Sequence, residues 1–479
     1  MLSRLLLFSL FLSGLASSAV TFNDTYYQSS GAQGLGTVSG DFDRDGRPDM
    51  AVGTIGAVDV FRNIGGGKFS SAAPYAIAGN GNTLVATDVN NDGWLDIVVM
   101  AYQTDSVQIL INNKNGTFHT GAPVPLTMPG DDIVAGDLNG DGKIDLLVQE
   151  CNFNSTPNKC QFAVFKGTGT GAFAAGQVLA LANASVQTPR LVDLNRDGKL
   201  DLVNVREPYV QIWLGKGDGS FNAPSSLRPP TVCTASQDCA DYLSSLVVAD
   251  FNNDTSLDIA VLQAHACGSA CGDNTVYIYR NNGAASFTRV SSFRIGPSAG
   301  GLLLATDING DQNIDLVNMN GAHFGGGLMY SLGKGNGSFG TQASMSDFDM
   351  ADLLARDFNL DSRHDLAVST WMSEGWDAFT NTNAVANCTA PSSANLAAKI
   401  CGPANNASVT SPVLVKASGN SPAGVERLEL WVDGKKSTER WNDQLAKNLT
   451  LSPGAHRIAV VAVDMYKGTA TQAITVNVH

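Results

Sequence analysis

The chain has 479 residues, of which 15% are charged, and its formal net charge is −14 at pH 7. This length allows two or more domains or one large closed repeat ring. The acidic balance argues against nucleic acid as a partner, because binding to phosphates requires a basic surface.

Residues 1–19 have the pattern of a secretory signal peptide. Arg4 supplies the positive start, an apolar run covers residues 5–12, and small residues at 17–19 form a cleavage site. A membrane anchor is the alternative interpretation, but the apolar run is too short to span a bilayer. We therefore expect a secreted, extracellular or cell-surface protein without a membrane span.

A nine-residue acidic pattern occurs seven times in the chain. Its form is Asp-x-(Asp/Asn)-x-Asp-(Gly)-x-x-Asp, and an apolar stretch follows each copy. The copies begin at Asp41, Asp88, Asp137, Asp193, Asp250, Asp307 and Asp357, at intervals of 47, 49, 56, 57, 57 and 50 residues. One such loop per interval predicts a fold that is built of similar units.

Each interval has the pattern of four short strands. An apolar strand precedes the acidic loop, a β-branched strand and an alternating strand follow it, and a glycine-rich turn with a Phe opens the fourth strand. This Phe recurs as Phe69, Phe118, Phe173, Phe221, Phe287 and Phe339. The pattern predicts an all-β fold, a seven-bladed β-propeller over residues 20–386.

The seventh repeat lacks this fourth strand, and the N-terminal segment resembles the missing piece. Residues 20–27 have the pattern of a fourth strand. We therefore predict that they pair with the seventh repeat. Such pairing would close the ring and remove an open sheet edge.

The repeat pattern stops after residue 386. Residues 387–401 are rich in Pro, Ser and Ala between two cysteines, and we predict that they form a linker. Residues 402–479 have strand patterns and a hairpin turn at Asp433-Gly434. This segment is typical of a small immunoglobulin-like β-sandwich.

The eight cysteines form four near-neighbour pairs. In an exported protein this spacing predicts four local disulfides. A zinc site is the alternative, but no two CxxC pairs with matching spacing lie close together. The predicted bridges are Cys151–Cys160, Cys233–Cys239, Cys267–Cys271 and Cys388–Cys401.

The acidic loops offer the ligands that calcium prefers, since calcium binds six to eight oxygens. Positions 1, 3, 5 and 9 of each loop supply side-chain oxygens, and the carbonyl at position 7 can add another. We expect up to seven calcium ions, with Asx-rich turns without metal as the alternative. The predicted ligands are Asp41, Asp43, Asp45, Asp49, Asp88, Asn90, Asp92, Asp96, Asp137, Asn139, Asp141, Asp145, Asp193, Asn195, Asp197, Asp201, Asp250, Asn252, Asp254, Asp258, Asp307, Asn309, Asp311, Asp315, Asp357, Asn359, Asp361 and Asp365.

Glycine at position 6 favours the left-handed turn that wraps the loop around an ion. The first four loops have this glycine, whereas the last three have Thr255, Gln312 and Ser362. We therefore expect weaker or partly empty sites in repeats five to seven. An EF-hand is excluded because position 12 never carries Glu. A dockerin-like module is excluded because strands follow the loops.

The combination of a Phe, a Gly-Asp step and the acidic loop before a Val-rich strand resembles the FG-GAP/VCBS repeats of the integrin α-chain propeller. Gly40-Asp41 and residues 136–142 match this motif best. The resemblance covers residues 20 to about 385, and it implies a seven-bladed propeller with calcium under the blades. The family's Gly after the Phe is kept only at Gly340. The C-terminal segment resembles bacterial immunoglobulin-like modules.

Strand direction predicts a ligand surface on the face opposite the calcium loops. In an up-and-down blade, the loops between the second and third strands lie on that face, together with the propeller disulfides. Aromatic and polar side chains there suit sugar or protein recognition, although several would also fill the top of the ring. The candidates are Tyr102, Phe153, Tyr209, His265, His323, Phe324, Trp371 and Trp376, with the two tryptophans favoured.

The sequence lacks the acid–base or nucleophile–base constellation of an enzyme, so we expect no enzymatic activity. Residues 335–340 match GxGxxG, but no helix follows this turn, and nucleotide binding is not predicted. The main hypothesis is a secreted calcium-binding adhesion protein with an extracellular protein or glycan ligand. A calcium-dependent lectin is the alternative, although the loops between the second and third strands differ among repeats. A polysaccharide-acting enzyme is the third hypothesis.

Overall fold

The computed structural model describes residues 20–479, and every regular element in its described part is a β-strand. The description excludes residues 32, 103, 154, 156–158, 183–185, 232–238, 268–273, 296–300, 320–326, 347–349, 362, 371–373, 383–387, 389–390, 392–394, 422–424, 441–443 and 465–467. The predicted signal peptide lies outside the described residues. Across the described part of the chain, no helix has the length and apolar character needed to cross a membrane.

The first two repeats share one long strand. The first eleven strands are β1 (Phe22–Gln28), β2 (Thr37–Gly40), β3 (Asp49–Gly53), β4 (Ile55–Phe61), β5 (Asn63–Gly65), β6 (Lys68–Phe69), β7 (Ala73–Thr87), β8 (Asp96–Ala101), β9 (Ser106–Asn112), β10 (Phe118–Thr120) and β11 (Val124–Pro125). Strand β7 ends the first repeat and begins the second. Both repeats therefore lie in one sheet of order β10-β9-β8-β7-β4-β3-β2, with β11 beside β9 and a separate β5–β6 hairpin.

Repeats three to six each form a four-stranded antiparallel sheet in chain order. The third repeat contains β12 (Gly130–Gly136), β13 (Asp145–Asn152), β14 (Lys159–Gly167) and β15 (Phe173–Ala182), and the fourth contains β16 (Val186–Val192), β17 (Asp201–Arg206), β18 (Tyr209–Trp213) and β19 (Ser225–Leu227). The fifth contains β20 (Cys239–Ala249), β21 (Asp258–Cys267), β22 (Asn274–Asn281) and β23 (Phe287–Ile295), and the sixth contains β24 (Leu303–Thr306), β25 (Asp315–Met319), β26 (Leu328–Ser331) and β27 (Ala343–Ser346).

The N-terminal strand completes the sheet of the seventh repeat. This repeat contains β28 (Met350–Arg356), β29 (Asp365–Thr370) and β30 (Gly375–Asn381). Strand β1 pairs antiparallel with β30, so that Phe22 lies opposite Asn381 and Gln28 opposite Gly375. The predicted pairing of the N-terminal segment is therefore confirmed. The chain is an all-β protein with a propeller-like series of antiparallel sheets.

The core of the repeat array consists of seven apolar clusters among the described residues, and each lies between two neighbouring repeats. Phe42 of the first repeat packs with Val99 and Phe118 of the second. In the seventh cluster, Phe61 of the first repeat packs with Trp376 of the last. Burial of apolar surface thus holds the first repeat against the seventh.

A hydrogen bond joins each repeat to the acidic loop of the repeat before it. The acceptor is always the carbonyl at loop position 2, and the donor is an Asn side chain or a Gly N–H at the end of the third strand or shortly after it. The seven bonds are Asn112 Nδ2 to Phe42 O (2.8 Å), Gly171 N to Val89 O (3.1 Å), Gly219 N to Leu138 O (2.9 Å), Asn281 Nδ2 to Leu194 O (2.8 Å), Gly337 N to Phe251 O (2.9 Å), Asn381 Nδ2 to Ile308 O (2.7 Å) and Asn63 Nδ2 to Phe358 O (2.7 Å). The last bond runs from the first repeat to the seventh.

The C-terminal segment forms two sheets around their own apolar core, which includes Val415, Leu430 and Val460. Its strands are β31 (Ala397–Gly402), β32 (Ala407–Val409), β33 (Val413–Asn420), β34 (Val425–Val432), β35 (Lys435–Arg440), β36 (Gln444–Leu449), β37 (Gly454–Asp464) and β38 (Thr469–Val478). One sheet has the order β31-β33-β36 and the other β32-β38-β37-β34-β35. The end of the predicted linker is thus part of a sheet, because residues 397–401 lie in β31.

Polar contacts connect this C-terminal segment to the repeat array. The Arg196 guanidinium, in the fourth acidic loop, lies 3.7 Å from the Glu439 carboxylate. Arg356 Nη2 donates to the carbonyl of Ser421 at 3.1 Å. The two parts of the chain are therefore in direct contact near the acidic loops.

Two of the four predicted disulfides are present. Cys151 and Cys160 face each other across β13 and β14, with a Cα–Cα distance of 4.2 Å. Cys388 and Cys401 are bridged with a Cα–Cα distance of 5.2 Å. Disulfides of this kind are typical of proteins that fold in an oxidising compartment.

The other two predicted bridges each include a cysteine outside the described residues, Cys233 in one and Cys271 in the other. The backbone of β20 and β21 pairs Cys239 with Cys267 in register. This is the cross-strand arrangement that Cys151 and Cys160 also have. The Cys233–Cys239 and Cys267–Cys271 bridges stay predictions.

Replacing Asn63 with alanine should weaken the contact between the first and seventh repeats. The Asn63 amide donates to the buried carbonyls of Phe358 and Pro48, which would lose their donor. We expect a loss of about 1–3 kcal/mol in the free energy of unfolding, measured by urea denaturation. Asn113→Ala is the matched control, since Asn113 is exposed and bonds to Thr117. Equal denaturation midpoints for the two variants would contradict the expectation.

Candidate metal centres

The acidic loops share left-handed backbone positions, at position 4 in all seven loops and at position 6 in the six loops where that residue is described. Position 4 has a positive φ, from 57° to 74°, at Arg44, Asn91, Gly140, Arg196, Asn253, Gly310 and Leu360. Position 6 has a positive φ not only at its four glycines but also at Thr255 (75°) and Gln312 (73°). Ser362 lies outside the described residues. The left-handed turn predicted at position 6 is thus present in loops five and six, where a residue with a Cβ makes it less favourable.

Backbone N–H groups within each loop orient the side chain at position 1. In the first loop, the N–H of Asp45 donates to Asp41 Oδ1 (3.0 Å) and that of Gly46 to Asp41 Oδ2 (2.9 Å). Loops two to six repeat both bonds. These bonds hold the carboxylate of position 1 towards the inside of the loop.

The buried aspartate at position 9 connects the acidic loop to the third strand of its own repeat. Its Oδ1 accepts a backbone N–H from Asn63, Asn112, Gly167, Gly215, Asn281, Gly333 or Asn381 in repeats one to seven, at 2.7–2.8 Å. In every repeat but the fifth, its Oδ2 accepts the N–H of position 2, at 2.9–3.1 Å. Position 9 therefore has a structural role that the sequence did not reveal.

Three carboxylates converge in the first loop. One oxygen each from Asp41, Asp43 and Asp49 lies within 4.8 Å of the others, which makes this the only such acidic group in the described part of the chain. The other six loops carry Asn at position 3, so an amide oxygen takes the place of the second carboxylate. Carboxylates this close repel one another unless a proton or a cation lies among them.

Burial raises the pKa of the position 9 carboxyl in every loop, and the other aspartates of the loop add to the effect. For Asp49, burial and the charges of Asp43 and Asp41 raise the pKa to about 8. The pKa rises to about 8 at Asp315, to about 7 at Asp96, Asp258 and Asp365, to about 6 at Asp201, and it also rises at Asp145. A divalent cation would favour the ionised forms, and an all-oxygen set of this kind fits calcium.

Basic side chains contact the position 5 carboxylate in five loops. Position 7 supplies the cation in four of them, and Lys114 supplies it in the second loop. The pairs are Arg47–Asp45, Lys114–Asp92 (3.5 Å), Lys143–Asp141 (3.3 Å), Lys199–Asp197 (3.8 Å) and Arg363–Asp361. These pairs are partly exposed, so they offset only part of the loop's negative charge.

The candidates for the ligand surface have different surroundings. His323, Phe324 and Trp371 lie outside the described residues. Tyr102 and Phe153 are exposed, at 45% and 38% of their surface. A partly buried residue, Tyr209, lies beneath the guanidinium of Arg228, 5.7 Å from the ring centroid.

Trp376 and His265 are buried instead. The Trp376 ring stacks on Tyr27, with 4.9 Å between centroids, and has no exposed surface. His265 Nδ1 lies 2.5 Å from Asp241 Oδ1, and the two side chains are only 6% and 10% exposed. A ligand cannot reach Trp376 in this arrangement, because the β1–β30 pairing and the first repeat cover it. The structure assigns Trp376 to the core and not to the ligand surface.

Sequence reasoning missed two recurring features of these loops. The left-handed conformation at position 4 is signalled by Asn91, Asn253, Gly140 and Gly310, since Asn and Gly tolerate it best. The Asn residues that bond to the neighbouring repeat stand at varying distances from their loops. Their spacing varies because the loops between the second and third strands differ in length.

The acidic loops also match a known family. The model of the FG-GAP-like repeat matches residues 41–99, 88–148 and 193–261. FG-GAP-like repeats therefore occur in three places in the chain. No curated protein sequence matches this chain.

Solved structures of similar shape include three proteins of different kinds. A lectin from Agrocybe aegerita that recognises non-reducing terminal N-acetylglucosamine is 15% identical, with a TM-score of 0.47 over 76% of this chain and 96% of the lectin. The exotype rhamnogalacturonan lyase YesX is 12% identical, with a TM-score of 0.43 over 75% of this chain and 76% of the lyase. The V. cholerae biofilm matrix protein Bap1 is 10% identical, with a TM-score of 0.35 over 95% of this chain and 70% of Bap1. Because these identities and TM-scores are low, none of the three indicates what this chain does.

The metal-free protein should become less stable as the pH rises. The raised pKa values mean that folded position 9 carboxyls hold protons that the unfolded chain has released. Their stabilising contribution is complete below about pH 4 and is lost as the pH rises towards about 8. With a chelator present, we expect a lower unfolding temperature by calorimetry at about pH 8 than at about pH 5.5.

Excess calcium is the control for this measurement. It should replace the protons and remove or reverse the difference between the two pH values. A metal-free unfolding temperature that increases between these pH values would contradict the prediction.

Proposed function

We propose that this chain is a secreted, calcium-stabilised recognition protein. The observation that carries the proposal is the convergence of Asp41, Asp43 and Asp49 in a loop whose left-handed turn at position 4 recurs in all seven repeats. Asx-rich turns alone do not require three carboxylate oxygens within 4.8 Å of one another. Such a set of oxygens suits a hard cation.

The proposed architecture is a closed seven-bladed propeller followed by an immunoglobulin-like sandwich. The seven inter-repeat clusters and the seven hydrogen bonds to position 2 support a ring. The bond from Asn63 to Phe358 and the pairing of β1 with β30 support its closure. Two sheets around one core support the sandwich.

Calcium has a structural role in this proposal. Bound calcium supplies the positive charge that the converging carboxylates lack. The chain's own residues prepare the loop, because backbone N–H groups orient Asp41 and fix Asp49 against the third strand. The first loop has an acidic side chain at all four ligand positions, so we propose that it binds calcium most tightly, and that loops five to seven bind it least tightly.

Recognition is assigned to the face away from the acidic loops. Exposed aromatic side chains there, Tyr102 and Phe153, support binding of an extracellular protein or a glycan. The predicted signal peptide and the two disulfides support secretion.

Binding is favoured over catalysis by the surroundings of the buried histidine. His265 and Asp241 resemble half of an acid–base pair, but both side chains are almost inaccessible to a substrate. A lectin remains within the proposal, since a glycan is one of its two ligand classes.

Calcium removal tests the proposal. We expect chelation to lower the unfolding temperature of residues 20–479 by about 10 °C or more, because each lost kcal/mol shifts the unfolding temperature by about 2–4 °C. Ion counting by mass spectrometry should find four to seven calcium ions for each chain, as the seven loops predict. No bound ion and no shift on chelation would overturn the proposal.

A pair of matched variants locates the effect in the first loop. Asp43→Asn removes one converging carboxylate and should reduce the bound calcium by up to one ion for each chain. Asp105→Asn makes the same chemical change at an exposed residue outside the loops and should leave the calcium count unchanged. Equal calcium counts and equal calcium affinities in the two variants would contradict binding in the first loop.

A further inference from the structure

A polar cavity of about 270 Å³ lies where the inner strands of six repeats approach one another. Its lining includes Thr37, Thr83, Asp132, Arg190, Leu302 and Asp352, from repeats one, two, three, four, six and seven. Residues contributed by so many repeats place the cavity on the axis of the array. Thr37, Asp132 and Asp352 lie at or near the start of the first strand of their repeats, and the acidic loop follows the end of that strand. The cavity is therefore towards the end away from those loops.

Strand irregularities occur at the polar residues of this cavity. The strand pairing shifts register immediately before Thr83, Asp132, Arg190 and Asp352. A β-bulge of this kind turns a side chain away from the regular sheet, and bulges are frequent next to binding sites. In each of these four repeats, a β-bulge therefore directs a polar side chain towards the axis.

The two carboxylates of the cavity are held in place by neighbouring strands. Asp352 Oδ2 accepts both the N–H (2.7 Å) and the hydroxyl (2.8 Å) of Thr37. Asp132 Oδ1 accepts the hydroxyl of Thr83 at 3.0 Å. No hydrogen bond from the described residues reaches Asp132 Oδ2, which leaves this oxygen as an open acceptor.

Arg190 is close to both carboxylates but does not form a direct ion pair with either. Burial lowers the pKa of Arg190, while the charges of Asp132 and Asp352 act in the opposite direction. Within the described part of the chain, no ion pair under 4.0 Å includes Arg190, and its one hydrogen bond goes to the carbonyl of Pro189 at 3.0 Å. Most of the guanidinium N–H groups therefore remain open donors.

Open donors and acceptors in a partly buried site require partners of the opposite kind. The buried Asn82 Oδ1 on the same wall has no hydrogen-bond partner either. Unpaired buried charge is costly, so water or a ligand must supply these contacts. A cavity of this volume has room for several waters or for one small ring.

We propose that this axial cavity binds one neutral sugar ring, such as the terminal residue of a glycan. Neighbouring hydroxyls donate to Asp132 and accept from Arg190, while Leu35, Leu84 and Leu302 contact the apolar face of the ring. The carboxyl groups of Asp132 and Asp352 disfavour the carboxylate of an acidic sugar, and the Arg190 guanidinium disfavours the ammonium group of an amino sugar. The proposal rests on the recognition role proposed above, and it names the ligand class and site for that role.

Titration calorimetry and saturation-transfer NMR on residues 20–479 in calcium test the proposal. The neutral probes are the methyl glycosides of glucose, galactose, mannose and N-acetylglucosamine; glucuronic acid and glucosamine are the charged probes. We expect at least one neutral probe to bind. Arg190→Gln should weaken it by about tenfold to a hundredfold, as expected for the loss of hydrogen bonds from a charged group.

Matched variants separate a binding role from a structural one. Arg280→Gln makes the same change at an exposed arginine outside the cavity and should bind the probe like the natural chain. Arg190→Lys keeps the charge and serves as a second variant in case Arg190→Gln does not fold. The unfolding temperatures of Arg190→Gln, Arg190→Lys and Arg280→Gln show which of these variants are folded. Asp132→Asn should weaken the same probe.

Several outcomes would overturn the proposal. They are binding of no neutral probe, stronger binding of either charged probe, and neutral binding that survives both Arg190→Gln and Asp132→Asn in folded protein. The calcium count is measured in the same samples. If the protein binds calcium but no neutral sugar, the axial sugar site alone is refuted. If it binds neither calcium nor a neutral sugar, the proposed function is refuted as well.

Discussion

The buried aspartate at position 9 is the contact on which the rest of the architecture depends. Its two oxygens accept N–H groups from both the acidic loop and the third strand, as Asp49 does with Phe42 and Asn63. The position 2 residue is thereby fixed with its side chain in the core and its carbonyl towards the next repeat. That carbonyl accepts the hydrogen bond that joins neighbouring repeats. One carboxylate thus links the loop, its sheet and the adjacent sheet.

Concentrating these carboxylates inside the fold has an electrostatic consequence. Half of the 44 acidic residues of the chain lie in the seven loops, and their innermost members are buried. Burial disfavours their ionised form, and proximity adds repulsion, so the folded state needs protons or cations there. Metal binding at the loops would therefore stabilise the contacts between repeats as well as the loops themselves.

The two ends of the sheets differ in chemistry. The acidic loops at one end contain closely packed carboxylate oxygens, which accept hydrogen bonds from backbone N–H groups. At the other end lie the exposed Tyr102 and Phe153 and the axial cavity with Arg190. An array of repeats that is joined by repeated hydrogen bonds provides a rigid frame for such a cavity, because the lining comes from six of the repeats.

The all-β repeat pattern, the places of the acidic loops and the pairing of β1 with the seventh repeat could all be predicted from the sequence. These features follow from local motifs with regular spacing, which a single chain displays directly. Three features are visible in the folded chain alone: Trp376 belongs to the core, Asn63 bonds to Phe358, and Asp132, Arg190 and Asp352 share one cavity. Residues far apart in the chain make these contacts, and their meeting depends on strand register and on bulges that leave no local signal.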